Sequence, residues 1–364
     1  MHPETVLQPR GHVRLSRYRR SLRVGHVLDR GRLRQVLPSL VGVAAIAALV
    51  LGVDPVAFRR SIQHFHVALL APIVVVSLGY YFLQGVRWHQ LLRHVGAKLR
   101  WQDTVLLNYA GQATALLPLG ELTRAVLAAE AGGVEFGAVV ATVTVQELIY
   151  TMVLIVFAAP GLLALQHAFA GVVTALAITL AIFVALTWCP AYRWLRAGVA
   201  HTPLLRRFLF DVDRLHNDTV LLLHQRDTLV GTWISALQAA GTISAFWMVA
   251  EALAPGQLSW RDAAFVYAVS NLAGALSLIP GGIGAYEASV VGLLVGVGIS
   301  PAIAVAVALV QRLADKGLAT AVGFAGYAVA RRRLGVSGLG TLPRRPPQAT
   351  PSGLDFSGGA VAVR

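Results

Sequence analysis

Long apolar runs alternate with short basic segments along most of this chain. Uncharged runs of roughly 18 residues or more are long enough to cross the hydrocarbon layer of a bilayer as helices. The pattern predicts six spans, at residues 36–53, 67–86, 136–160, 168–188, 228–250 and 301–330. Two further apolar segments, 104–133 and 263–300, are broken by proline, glycine and polar residues. Such breaks are typical of re-entrant helical hairpins, which are tolerated where protein or a wet cavity surrounds them.

The two broken segments belong to two halves of the chain that repeat the same signals. Residues 108–118 read NYAGQATALLP, and residues 271–280 read NLAGALSLIP. A Trp-x-Asp sequence precedes each segment, and a glutamate follows it, Glu121 or Glu287. Matching landmarks lie 159 to 166 residues apart. A duplication that places proline, glycine and carboxylates at membrane depth indicates a transporter-like core.

The number of predicted crossings gives the fold class. If the amino terminus is inside, the first Trp-x-Asp lies inside and the second lies outside, so the repeats enter the membrane from opposite faces. We therefore predict an all-α polytopic membrane protein, an inverted repeat of helices with two re-entrant helical hairpins. The predicted parts are an Arg-rich cytoplasmic tail (1–34), repeat 1 (35–160), repeat 2 (161–330) with an amphipathic cytoplasmic loop (190–227), and a disordered cytoplasmic tail (331–364).

Composition supports the membrane class. Apolar residues make up 56% of the chain and charged residues 13%. A net charge of +14 is also typical of nucleic-acid binding, but the basic residues lie in tails and short loops, such as the predicted cytoplasmic loop Arg87–Asp103, where they set topology. We therefore expect no nucleic-acid partner. We expect a multi-pass membrane protein with both termini in the cytoplasm. The first 34 residues hold nine arginines and resemble no cleaved signal, although an organelle transit peptide is an alternative interpretation.

Seven charged residues fall inside the apolar segments, where each costs about 2.5–3.5 kcal/mol at the bilayer centre. They are Glu121, Arg124, Glu147, Glu287, Arg312, Asp315 and Lys316. In a structural interpretation, opposite charges pair between helices and hold the bundle together. A functional interpretation is favoured for the set, because its members cluster at matching places beside the backbone breaks. We expect Glu147 and Arg312 to pair near the midplane, and Asp315 to extend that charge network.

The hairpin tips carry the candidate binding residues. Glycines after Pro280 would let a headgroup approach the free N–H groups of a half-helix, where the helix dipole favours anions. Close packing of small residues is the alternative. The predicted substrate-binding residues are Asn108, Pro118, Glu121, Arg124, Asn271, Pro280, Gly281, Gly282, Gly284, Glu287, Arg312 and Lys316. The histidines lack metal spacing and no nucleophile set can be assembled, so we predict no metal, cofactor or catalytic residue.

Several motifs carry a family resemblance. Arg87-Trp88, the LPLGELTR sequence at 117–124, the PGGIGAYE sequence at 280–287 and Gln311-Arg312-Leu313 resemble the flippase-like transmembrane region shared by lysylphosphatidylglycerol synthases and many stand-alone membrane proteins. The likeness covers roughly residues 36–330 and implies a bacterial inner-membrane protein that handles lipids. In the synthases a separate soluble domain transfers the aminoacyl group. Since 34 residues follow Ala330 here, we expect that enzyme activity to be absent.

The family often has an arginine and a following aspartate where this chain has Glu147 and Tyr150. The cationic role would then fall to Arg124 and Arg312. We predict a protein that binds and translocates an anionic lipid or lipid-linked intermediate, with these arginines and Lys316 on the phosphate and the tip glutamates orienting the hairpins. Two rivals are a non-transporting partner or scaffold of a lipid-modifying enzyme, and an intramembrane transferase. No nucleophile set can be assembled from the sequence, which argues against the transferase but does not exclude the scaffold.

Overall fold

The structure is a computed structural model that describes residues 51, 54–63, 65–115, 120, 122–162, 226–277 and 279–336, with a few isolated positions between 177 and 220. The predicted spans 36–53 and 168–188 lie almost entirely outside the described residues. So do the predicted loop 190–227 and most of both tails. Pro118 and Glu121, two of the predicted binding residues, are also outside them.

The described residues are helical and form no strand. Their helices are α1 (Pro55–Gln63), α2 (Leu70–His94), α3 (Trp101–Gly111), α4 (Leu122–Gly132), α5 (Phe136–Leu162), α6 (Arg226–Val230), α7 (Thr232–Leu253), α8 (Trp260–Leu276), α9 (Ala285–Gly296), α10 (Pro301–Arg312) and α11 (Leu318–Leu334). Short 3₁₀ turns cover Val67–Leu69, Gln112–Thr114 and Pro280–Gly282, and a π-helix at Leu313–Gly317 joins α10 to α11. This supports the predicted all-α class.

Three described helices are long and apolar enough to cross a membrane, at Val67–His94, Phe136–Gly161 and Thr232–Leu253. The first continues past its predicted end at Val86. Arg87 was expected in a cytoplasmic loop, but it lies inside α2 and is fully buried. The helix accommodates this charge because backbone carbonyl oxygens of α6 accept hydrogen bonds from the guanidinium.

The two halves of the chain contain helices in the same order. In the first half a long helix (α2) is followed by two short helices that pack against each other (α3 and α4) and by a second long helix (α5). In the second half α7, the packed pair α8 and α9, and the nearly continuous α10–α11 follow in that order. The equivalent elements are therefore α2 and α7, α3 and α8, α4 and α9, and α5 and α10–α11.

Contacts between the halves are reciprocal. Helix α5 packs along α8, and its counterpart α11 packs along α3, while α2 and α7 pack against each other. Glycines allow both crossings to be close: a Cβ at Gly161 would lie 3.1 Å from the Arg261 carbonyl oxygen, and one at Gly323 would lie 2.9 Å from the Ala113 Cα. Small residues serve this purpose in membrane helix packing.

Each half has a buried apolar core. In the first half the core is built around Trp88, Leu107 and Leu127, and it includes many alanines. The larger core includes Phe246 and Phe265 and extends across α7 to α10 with contributions from α2 and α5. Several polar and charged side chains are also buried, among them Gln84, Asn108, Arg124 and Glu287, and these form the candidate site.

Candidate functional site

An ion pair joins α4 to α5 in the first half. Arg124 Nη2 lies 2.7 Å from Glu147 Oε1. The Arg124 side chain is fully buried, whereas that of Glu147 is 41% exposed. A lone charge would be costly at this depth, and the pair reduces that cost because each side chain is the counter-ion of the other.

Amide side chains complete the environment of the Arg124–Glu147 pair. Arg124 Nη1 donates to Asn108 Oδ1 at 3.0 Å and to Gln146 Oε1 at 3.3 Å. Gln84 Nε2 donates to Glu147 Oε1 at 3.3 Å, and its Oε1 accepts from Asn108 Nδ2 at 3.1 Å. Helices α2, α3, α4 and α5 each contribute a side chain, so the whole first half holds the pair in place. Charge-assisted hydrogen bonds of this type are the stronger ones.

An aromatic ring and a glycine fix the position of Arg124. Its guanidinium lies over the Trp88 ring, 5.3 Å from the centroid, and Trp88 Nε1 donates to Thr142 Oγ1 at 2.9 Å. The cation–π contact adds to the stabilisation of the charge. Helix α3 passes directly beneath α4 here: a Cβ at Gly111 would lie 2.9 Å from the Arg124 Cα. A larger residue at Gly111 would displace the arginine.

The second half contains an ion pair with the charges exchanged between the helices. Glu287 of α9 accepts a hydrogen bond through Oε1 from Arg312 Nε at the end of α10. The other carboxylate oxygen accepts from the Gly284 N–H at 2.6 Å. Glu287 is fully buried, and the Arg312 guanidinium lies over the Tyr286 ring, 4.8 Å from the centroid. Glu287 thus caps its own helix and neutralises Arg312.

The expected pairing of Glu147 with Arg312 is wrong, because each pairs within its own half. Helix order explains the difference: α4 is the neighbour of α5, and α9 is the neighbour of α10. The structure also changes an equivalence drawn from the sequence. Arg124 is the third residue of α4 and Glu287 is the third residue of α9, so Glu287 corresponds to Arg124 and not to Glu121.

The glycines of the second tip are packed rather than open. Gly281 and Gly282 both have φ of +63°, and Gly284 has φ of +87°, a region that favours glycine. Gly282 is buried, and a Cβ there would lie 3.0 Å from the Gly274 Cα of α8. The Gly284 N–H is bonded to Glu287. Gly282 is therefore closely packed and the Gly284 N–H is used in capping, which is the alternative to direct contact with a headgroup. Pro280 begins the 3₁₀ turn.

A hydrogen bond connects the halves near the first ion pair. Tyr81 of α2 donates through its hydroxyl to Asp315 Oδ1 at 2.6 Å, and its backbone oxygen accepts from Asn108 Nδ2 at 2.9 Å. Asp315 and the half-buried Lys316 lie in the π-helix Leu313–Gly317. Such π turns are rare and occur frequently at functional sites. Asp315 is thus linked to Arg124 through two intervening residues, Tyr81 and Asn108.

A cavity of about 140 Å³ lies between α5 and α8, where the halves meet. Its lining residues are Glu147, Tyr150, Thr151, Leu154, Ile155, Ala268, Asn271, Leu272 and Ala275. Pockets that enclose a whole small molecule have volumes of about 300–1,000 Å³, so this cavity has room for part of a headgroup only. The cavity brings Glu147 and Asn271 together from the two halves. Asn271 also donates to the Tyr267 carbonyl oxygen at 2.8 Å.

Several members of this site escaped the sequence analysis. Gln84, Tyr81 and Trp88 position the first pair but were not predicted as site residues. Gln84 could have been identified from the sequence, because it is an amide inside an otherwise apolar predicted span, where a polar side chain has a high free-energy cost. Within the described residues, no group of three or more His, Cys, Asp or Glu side chains has the geometry of a metal site.

Comparison with protein families matches residues 35–323 to the lysylphosphatidylglycerol synthase TM region. No curated protein matches the chain in a sequence comparison. Since the family match covers most of the chain, the protein belongs to the lysylphosphatidylglycerol synthase transmembrane-region family, which confirms the resemblance predicted from its motifs.

Proposed function

We propose that this protein binds a membrane lipid or lipid-linked intermediate with an anionic headgroup and translocates it across the bacterial inner membrane. The observation that carries the proposal is the pair of buried Arg–Glu contacts, one in each half, at equivalent places and with exchanged charges. Intramembrane ionisable residues mark substrate pathways more often than they serve packing alone. Membership of a family named for a lipid synthase supports a lipid substrate.

The ion pairs explain how an anionic headgroup is accepted without exposing a charge to the bilayer. Arg124 is neutralised by Glu147, which also lines the cavity between α5 and α8. A phosphate that enters the cavity replaces Glu147 on Arg124, because guanidinium binds phosphate and carboxylate through the same two-pronged geometry. The released Glu147 then accepts hydrogen bonds from headgroup hydroxyls or amines, with Asn271 and Thr151 alongside.

Translocation follows from the relationship between the halves. We propose that they are inverted repeats, that α3–α4 and α8–α9 are re-entrant hairpins, and that both termini are cytoplasmic. Two-fold related units give a protein two related conformations, open to opposite sides. The α5–α8 and α3–α11 interfaces are reciprocal, so one opens as the other closes. The Tyr81–Asp315 hydrogen bond couples the conformation of one half to that of the other. No group-transfer step is assigned to any of these residues.

A scrambling assay tests the proposal. The full chain is reconstituted into liposomes that contain a trace of fluorescent phosphatidylglycerol, phosphatidylserine or phosphatidylcholine, and a membrane-impermeant quencher reports the fraction of label in the outer leaflet over time. We expect quenching beyond the outer-leaflet fraction for the anionic lipids and slower or no excess quenching for phosphatidylcholine. Traces that match protein-free liposomes for every lipid would contradict translocation and favour a scaffold for a lipid-modifying enzyme.

A further inference from the structure

A second cavity, of about 390 Å³, lies between the C-terminal end of α2 and helix α6. Its lining residues are Gln90, Arg93, His94, Asp227 and Val230. The volume falls in the range of about 300–1,000 Å³ that is typical of small-molecule sites. None of these residues belongs to either Arg–Glu pair or to the cavity at Glu147. We refer to it as the α2–α6 cavity.

A buried arginine, Arg87, contacts two residues that line the α2–α6 cavity, Gln90 and Asp227. Arg87 is fully buried; its Nη2 donates to the Thr228 carbonyl oxygen at 2.7 Å, and its Nη1 reaches Gln90 Oε1 at 3.2 Å and the Asp227 carbonyl oxygen at 3.4 Å. Its Nε is buried and has no acceptor among the residues that the structure describes. Within that part of the chain no carboxylate oxygen contacts this guanidinium, and its acceptors are neutral. A buried charge ordinarily requires a counter-ion.

A glycine at position 231 leaves room for the Arg87 guanidinium. Gly231 lies against the guanidinium, and a Cβ at that position would overlap Arg87 Nη1. The Gly231 N–H donates to the Asp227 carbonyl oxygen at 2.8 Å, which holds the turn after α6 in place beside the cation. A side chain at position 231 would expel Arg87. The fold thus holds the Arg87 guanidinium in a fixed position, and its counter-ion is not among the described side chains.

The charges around the cavity favour an anion. Arg93 is exposed at the end of α2 and lines the wall together with His94. His94 Nδ1 lies 2.9 Å from the Gln90 carbonyl oxygen, to which it donates. The one carboxylate in the described lining is that of Asp227, which is 76% exposed and lies 3.8 Å from His94 Nε2. Its exposure places it at the rim, where water screens it.

We infer that the α2–α6 cavity binds a phosphate group, with Arg93 and His94 as direct contacts and Arg87 as the buried positive charge beneath them. Guanidinium groups suit phosphate because their N–H donors make charge-assisted hydrogen bonds to its oxygens, and a histidine ring that carries both protons offers a further donor. The phosphate belongs either to a lipid headgroup or to a soluble phosphate compound. Both carry the chemistry that the cavity recognises, and two probes separate them.

The test uses the purified full chain in an uncharged detergent and measures its thermal unfolding midpoint. One probe is phosphatidylglycerol added to the micelles, and the other is sodium pyrophosphate; phosphatidylcholine and sodium chloride of equal ionic strength are the reference additions. The site variant is Arg93→Gln/His94→Gln. The matched control is Lys98→Gln/Arg100→Gln, which removes two exposed basic residues of the neighbouring segment outside the cavity. Only a ligand that binds the folded state raises the midpoint.

We expect phosphatidylglycerol, pyrophosphate or both to raise the midpoint of the wild type and of the control variant. The site variant should need about tenfold more of the same probe for half of the shift, since it loses charge-assisted contacts. A response to the lipid alone assigns the phosphate to a headgroup, and a response to pyrophosphate assigns it to a soluble compound. Equal responses of the three proteins, or no response to either probe, would overturn the inference. Because binding is measured in detergent, the result is independent of whether lipid crosses the membrane.

Discussion

Arg124 and Glu287 are each the third residue of the helix that completes a packed helix pair, and each forms an ion pair with the next helix along the chain. Their charges are opposite, and so are those of their partners Glu147 and Arg312. The two halves of the protein therefore keep the same arrangement and the same neutrality with the charges reversed. This relationship suggests that what each position requires is a paired charge, rather than a particular sign.

Reversing the first pair tests that interpretation. Arg124→Glu would place two carboxylates together in a buried site and should lower the free energy of unfolding by about 3–5 kcal/mol, at the lower end because Glu147 is partly exposed. Arg124→Glu/Glu147→Arg should recover most of that loss, as the second half already uses this order. Unfolding in mixed detergent micelles gives both values. Arg332→Glu, which reverses a charge at an exposed position of α11, is the control and should cost about 1 kcal/mol or less.

If the double variant were as unstable as the sum of its single variants, the two side chains would not interact energetically, and each would depend on other contacts. Asn108 Oδ1 and Gln146 Oε1 both accept from Arg124, and a glutamate at position 124 has no N–H to give them, which limits the recovery.

Close packing at Gly282 predicts that a larger side chain there prevents folding, whereas an open, substrate-contacting tip predicts a folded protein without activity. Gly282→Leu introduces a side chain where φ is +63° and where the Gly274 Cα would lie 3.0 Å from the new Cβ. We expect loss of folded protein, measured as the monodisperse fraction in size-exclusion chromatography. Gly292→Leu, in the same helix pair but with nothing within 4 Å of its Cβ position, should behave like the wild type. A folded, stable Gly282→Leu protein that has lost only its activity would show that the tip contacts substrate.

The amino-acid pattern predicts much of this fold but little of the pairing. Phe136 begins α5 as predicted, and the proline and glycines at 280–284 separate α8 from α9, because these residues have direct effects on the backbone. Which helix face meets which neighbour depends on tertiary packing, so Glu147 could not be assigned to Arg124 from spacing alone. Arg87 was placed in a loop because its acceptors, the carbonyl oxygens of residues 227 and 228, are distant in sequence.

Tyr81 is expected to couple the halves. Tyr81→Phe removes only the hydroxyl that donates to Asp315, and it should cost about 1–3 kcal/mol because a half-buried carboxylate loses its donor. We also expect slower lipid scrambling at equal amounts of folded protein. Tyr109→Phe is matched to it, since that hydroxyl donates at 2.7 Å to the Leu78 backbone oxygen within the first half. Equal scrambling rates for the two variants would mean that the Tyr81 contact is purely structural.

The inverted arrangement predicts the sidedness of two exposed positions. Gln102 and Arg261 follow the tryptophans that begin α3 and α8, and both are exposed. In a Cys189→Ala background, Gln102→Cys and Arg261→Cys should react with a membrane-impermeant maleimide from opposite sides of the cell membrane. The inside-facing cysteine should react only after permeabilisation. Reaction of both from the same side would exclude inverted repeats and leave a parallel duplication.

The most direct test of the central claim is the rate at which fluorescent phosphatidylglycerol changes leaflet when the cavity between α5 and α8 is filled. Ala275 lines this cavity, whereas Ala288 is exposed on α9 outside it. In proteoliposomes the wild type and Ala288→Trp should both accelerate leaflet exchange, and Ala275→Trp should fall to the rate of protein-free liposomes while remaining folded. Equal acceleration by Ala275→Trp and the wild type, or none by the wild type, would contradict passage of lipid between the two halves.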